Sequence, residues 1–92
     1  MEKELRYRVL PNIAYREITG KIIFINPAEN VLVTLNATGS VFWKYIVQGH
    51  TMQQIVRALQ KAYDANADAI ENDLREFAES MIRRCVIECY ED

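Results

Sequence analysis

Short apolar runs separated by turn formers occupy residues 14–35, and the apolar positions switch to a helical spacing after residue 36. That change of period predicts strands followed by helices. Residues 14–18, 21–26 and 31–35 are short, rich in β-branched side chains and bounded by turn formers, as strands are. Thr19-Gly20 makes a tight turn between the first two, and Asn26-Pro27-Ala28-Glu29-Asn30 links the second to the third. In the third strand Val31, Val33 and Leu35 share one face while Leu32 and Thr34 share the other. The first face is expected to meet the core; the second is only partly apolar.

Asn36 is placed to cap a first helix, whose apolar stripe is Ala37, Val41, Phe42, Tyr45 and Ile46, with Gly49 as the stop. Thr51 followed by Gln54 is a capping box for a second helix, with Met52, Ile55, Val56, Leu59 and Ala62 as its stripe. Asp68 and Glu71 read as a second box, opening a third helix with Ile70, Leu74, Phe77 and Met81 along one side. Residues 85–89 form a last apolar run that can add a short C-terminal strand or pack against the third helix. Residues 1–12 are mixed and end at Pro11-Asn12, so they read as a flexible N-terminal arm before a single domain over 13–92. Phe42 and Trp43 project about 100° apart on a helix. One of them is therefore expected at an edge of the core or against a partner.

Three strands and then three helices predict an α+β fold, with the helices on one face of a three-stranded antiparallel sheet. The order helix, turn, helix, helix beside strands is that of a winged-helix-like domain. The 92 residues suffice for one domain, and the composition, half hydrophobic and about a quarter charged, is ordinary for a globular chain. The apolar run Ile22-Ile23-Phe24-Ile25 is far too short to cross a bilayer, and the charged start lacks a secretory signal. A cytoplasmic location is the expectation, with no membrane partner.

Little in the chain suggests catalysis. There is no glycine-rich phosphate loop and no nucleophile motif, and His50 is the sole histidine. On a strand, Cys85 and Cys89 would lie roughly 13 Å apart, too far for a disulfide or a shared metal. They read as small, reduced, partly buried thiols. The acid pairs Glu71/Asp73 and Asp73/Glu76 fit a solvated helix face, and Asn36-Ala37-Thr38 fits a helix cap better than a glycosylation site. Phe42, Trp43, Tyr45 and Tyr63 at helical spacing read as core. No cofactor, no metal and no enzymatic activity are expected.

Charge separates the remaining readings. Residues 64–79 hold six acids against Arg75 alone, a net −5. In a winged helix that segment would be the recognition helix entering a DNA groove, yet each phosphate contact wants Lys or Arg. Only Arg83 and Arg84, at its far end, have the right sign, which argues against nucleic acid. In a three-stranded meander the third strand is an edge, with open backbone groups that an extended peptide could extend by one strand. Residues 85–89, a loop, or a second copy in a homodimer could cover the same edge, and the pattern leaves these alternatives open.

The ordered set Leu35-Asn36-x-x-Gly39-x-x-Phe42-Trp43, Gly49-x-Thr51-x-x-x-Ile55, Leu59-x-x-x-Tyr63-Asp64, Asp73-Leu74-x-x-Phe77 and Val86-Ile87-Glu88 resembles the PqqD family. That family gathers the peptide-binding partner of pyrroloquinoline quinone synthesis and the recognition elements of ribosomally made, modified peptides. The resemblance implies a non-catalytic adaptor that binds the leader of a precursor peptide and presents it to a modifying enzyme, often a radical S-adenosylmethionine maturase. It implies that the leader joins the third strand, at the backbone of Val31, Leu32, Val33, Thr34 and Leu35. Asp73, Leu74, Phe77 and Met81 would then wall the groove. The chain departs from the biosynthetic prototype in its bulky Phe42-Trp43 pair and its short loop carrying Glu29. Together with the acidic helix, the resemblance leads to an expected peptide with alternate apolar residues and Lys or Arg nearby. Val33→Pro is the expected way to abolish its binding. The alternative is a winged-helix DNA-binding or dimerising module of a regulator.

Overall fold

The computed structural model describes residues 5–91. In chain order it runs β1 (Leu5–Val9), β2 (Tyr15–Ile18), β3 (Lys21–Asn26), β4 (Val31–Thr34), α1 (Ala37–Val47), α2 (Met52–Tyr63), α3 (Ala67–Arg83) and β5 (Ile87–Glu91). Strands β2, β3 and β4 form an antiparallel meander in that order, while β1 and β5 make a separate antiparallel ribbon. The α+β architecture expected from the sequence is therefore present. No helix among the described residues is long and apolar enough to cross a membrane.

The ribbon corrects one expectation. Residues 5–9, placed in a flexible arm, are a strand whose Leu5, Tyr7 and Val9 pack onto the core, with Tyr7 only 6% exposed. Leu5 pairs with Glu91 and Val9 with Ile87. Arg8 forms an ion pair with Glu88 and lies 4.7 Å from the ring centroid of Tyr90. Residues 1–4 of the expected arm lie outside the described residues. β5 begins at Ile87 rather than at 85, because Cys85 adopts φ 60° and closes α3. The Val86 amide donates to the Met81 carbonyl (2.9 Å) and the Cys85 amide to that of Ile82 (3.0 Å). This is a Schellman ending with cysteine in the place glycine usually takes. α1 ends the same way on Gly49, at φ 85°.

The helix starts follow local chemistry. Asn36 accepts from the Gly39 amide, and the Thr51–Gln54 box is complete in both directions. α3 differs from expectation. Its cap is Asn66, whose Oδ1 accepts from the Asp68 and Ala69 amides, so Asp68 falls inside the first turn, where a negative charge suits the helix dipole. Glu71, expected to complete a box, instead pairs with Arg75 one turn on, at 3.2 Å.

Phe42 and Trp43 are both buried, contrary to the expectation that one would reach an edge. α1 lies between two neighbours, so side chains about 100° apart each find a core partner. Trp43 stacks on Phe24 of the sheet (centroids 5.1 Å apart) and meets Tyr15 edge-on, while Phe42 packs against Phe77 of α3.

Candidate functional site

Among the described residues β4 pairs only with β3, so its other side is an open edge there. Which residues face that edge follows from the register. The Leu35 amide donates to the Ile22 carbonyl at 2.8 Å, making Ile22 and Leu35 a bonded pair. Antiparallel strands alternate bonded and non-bonded pairs. Phe24–Val33 and Asn26–Val31 are therefore bonded too, whereas Ile23–Thr34 and Ile25–Leu32 are not. The Ile25 amide donating to Ala14, on the opposite side of β3, fixes the same alternation independently. Hence Leu32 and Thr34 direct their backbone groups outward, and Val31 and Val33 direct theirs into the sheet. Val33→Pro, expected to block a peptide, would cut the β3–β4 ladder instead.

A hydroxyl holds the end of this edge. Where β4 turns toward α1, the Ile22 amide does not reach Leu35 directly. It donates to Ser40 Oγ at 2.9 Å, and that hydroxyl donates to the Leu35 carbonyl at 3.4 Å. Ser40 is fully buried, so the relay lets the strand depart without leaving an amide unpaired in the core.

Contacts at its two ends place α3 alongside β4 and antiparallel to it. Near Val31, Asn26 donates to the Arg84 carbonyl, and the Arg84 guanidinium pairs with Glu29 at 2.8 Å. Near Leu35, Gly39 sits so close to α3 that an added Cβ would lie 3.1 Å from the Phe77 ring. Of the four wall residues expected on α3, Leu74 and Met81 belong chiefly to the core, at 0% and 4% exposure. Phe77 is half-buried and Asp73 exposed. Just past the end of β4 a depression of about 430 Å³ is bordered by Asn36, Thr38, Asp73, Glu76, Phe77 and Ser80, with Met81 at its floor. Ser80 was not singled out from the sequence, and Glu76 was named there only as an acid of the helix, not as a groove wall. Their signal is spacing: 73, 76, 77 and 80 trace a stripe beside the buried stripe Ile70, Leu74, Ala78 and Met81.

The rim is acidic. Asp73 and Glu76 make no ion pair among the described residues, so both carboxylates face solvent available to a cation. On the other face of the sheet Ile18, Ile25 and Leu32 are exposed, Leu32 at 69%. No three His, Cys, Asp or Glu side chains gather into a metal-holding group among the described residues. Cys85 and Cys89 are exposed free thiols rather than partly buried ones. Partial burial, then the nearby Glu91 carboxylate, raises the Cys89 pKa.

Comparisons with known proteins bear on the family and the fold. The family described as coenzyme PQQ synthesis protein D (PqqD) matches residues 21–87. No curated protein matches the sequence. Among solved structures, TbiB1 in complex with the TbiA(beta) leader peptide superposes with a TM-score of 0.83 at 22% identity, over 92% of this chain and 99% of that one. A lasso peptide synthetase B1 complexed with its leader peptide gives 0.81 at 16%, over 90% and 98%. The PqqD truncation of Methylobacterium extorquens PqqCD, a stand-alone recognition element for ribosomally synthesized and post-translationally modified peptides, gives 0.73 at 21%, over 89% and 87%. At these identities the structural likenesses establish the fold, while the family match covers well over half of the sequence. The chain belongs to the PqqD family.

Proposed function

We propose that this protein is a peptide-binding adaptor that takes the leader of a precursor peptide as an added strand on β4 and presents it to a modifying enzyme. The open backbone of Leu32 and Thr34, beside the groove under α3, is the observation that carries this reading. Main-chain pairing supplies affinity for an extended segment, and alternate side chains fall into the groove. Support comes from the similar fold of two proteins described in complex with leader peptides and from the family match. The adaptor has no catalytic role of its own; the chemistry belongs to its partner, for which a radical S-adenosylmethionine maturase in the cytoplasm is the working candidate. Asp73 and Glu76 favour a leader with Lys or Arg near the paired segment. The same acids disfavour DNA on α3.

Thr34→Pro tests the reading. Proline is tolerated where the lost N–H faces outward, so the fold should survive while one hydrogen bond to the added strand is removed. Synthetic leaders from short precursors encoded near the gene are titrated into labelled protein and followed by NMR. Wild type should shift at Leu32, Thr34 and the Phe77 flank of α3, and Thr34→Pro should lose most of the affinity. A folded Thr34→Pro variant that binds as tightly as wild type would refute strand addition.

A further inference from the structure

The open edge does not end in solvent. Beyond Leu35, the depression beside Phe77 adjoins a second, more apolar, half-open cavity of about 310 Å³ between α1, the end of α2 and the start of α3. Thr38, Phe42 and Asp73 border both, so the two share walls. The second is walled by Val41, Leu59, Tyr63 and Ile70, and Asp73 is the only charged residue on it among the described residues. Its volume is at the lower end of the roughly 300–1,000 Å³ typical of ligand sites, right for one large side chain rather than a cofactor. A strand added antiparallel to β4 runs past Leu35 toward its own N-terminus and would carry its preceding residues over Asp73 and into this cavity.

We infer that the same leader has a second anchor: a large apolar side chain, aliphatic or aromatic, that precedes the paired segment and fills the Val41–Leu59–Tyr63–Ile70 cavity. A Lys or Arg between anchor and strand meets Asp73 and Glu76. The inference rests on the proposed strand addition and deepens it. Two contacts separated by an acidic bridge would let the protein read a spaced pattern instead of any extended apolar segment. The occupant follows from three features: the walls the cavity shares with the peptide groove, its apolar lining, and the carboxylates at the junction, which make no ion pair among the described residues.

The test uses random linear peptides in an mRNA-display library, selected on wild type, Val41→Phe, Tyr63→Ala and Thr34→Pro. Val41→Phe fills the cavity. Tyr63→Ala removes a wall residue that is 65% exposed, so it keeps the test valid if the filled variant folds poorly. Wild-type binders should share an alternating apolar segment, with a large apolar residue at one fixed offset before it and a basic residue between. Replacing that residue by alanine should weaken binding roughly tenfold or more on wild type, as expected for burying one large side chain, and little on Val41→Phe or Tyr63→Ala. Binders lacking a fixed-offset anchor, or anchored peptides that bind both cavity variants as well as wild type, would overturn the inference. Strand addition would stand in that case if Thr34→Pro still lost affinity. No binders to wild type at all would overturn the inference together with the peptide-binding reading beneath it.

Discussion

Ser40→Ala removes a single oxygen from the junction where β4 leaves the sheet, and its cost can be worked from two bonds. The stronger brings the Ile22 amide to Oγ at 2.9 Å in a fully buried site, with the Leu35 carbonyl beyond the hydroxyl. A buried amide left without a partner costs about 1–3 kcal/mol. The second bond, at 3.4 Å, is at the limit of useful geometry and adds little. The expected loss is therefore about 2 kcal/mol, or a Tm lowered by roughly 8–16 °C for a domain of this size. The chain supplies its own reporter, since Trp43 is the single tryptophan and is buried against Phe24, so urea titration can follow its fluorescence. Hydrogen exchange at the Ile22 amide gives the local readout and should speed up more than that of the Phe24 amide. Leader affinity should fall as well, because the relay fixes the end of the edge that pairs with peptide. A loss below about 0.5 kcal/mol with the Ile22 amide still protected would show that the strand re-forms the direct bond to Leu35, and the relay would lose its claimed role.

Three other outcomes are expected. Gly39→Ala places a methyl 3.1 Å from the Phe77 ring; stability should stay within about 1 kcal/mol, because alanine favours the helix, while the displaced ring lowers leader affinity, measured by anisotropy. Unchanged affinity would remove Phe77 from the groove wall. Cys85→Gly should stabilise the protein by roughly 0.5–1 kcal/mol, since glycine takes the left-handed conformation without strain, and a fall in the urea midpoint would contradict the Schellman assignment. Burial first, then the negative charge of the Cys89 thiolate, raises the pKa of Tyr7, and burial first, then Glu91, raises that of Cys89. These two residues face each other across the β1–β5 ribbon. Each stays protonated longer in the folded state than in the unfolded chain, whose ordinary values are 10.0 and 9.0. The associated stability is full below those values and is lost as pH rises through the folded pKa. Urea midpoints should thus drop between neutral and alkaline pH, and drop less in Tyr7→Phe with Cys89→Ser; equal drops would exclude this pair as the cause.

What the sequence disclosed was local. The Thr51–Gln54 box, the Asn36 cap and the Gly49 stop each depend on residues within a turn of one another, so their chemistry is visible in the string. Non-local facts were hidden. Leu5, Tyr7 and Val9 alternate as a strand should, yet the partner that gives the strand meaning lies some 80 residues away, as in the Arg8–Glu88 pair. At α3, Asn66 competes with Asp68 for the cap, and nothing nearby in sequence says which wins. The site was half legible. Residues 31–34 do form one strand, with Leu35 just past its end, but which residues face outward depends on Leu35 bonding to Ile22, a fact of register. Similarly, the α3 stripe named Leu74 and Met81 along with Asp73 and Phe77, and only the packing against α1 and the sheet divides them into core and groove.

The ribbon brings Leu5 and Glu91 opposite one another, and neither of its strands belongs to the sheet that carries β4. A chain entering along β1 therefore leaves along β5 at nearly the same point. In engineering terms the unit is a plug-in cassette: it can be inserted through one doorway into a loop of a larger enzyme with its docking edge unobstructed. The same adjacency favours a circular permutant joined at the ribbon and reopened between α2 and α3. Such a permutant would keep Leu32, Thr34 and Phe77 in place while changing only the order in which the ribosome delivers them.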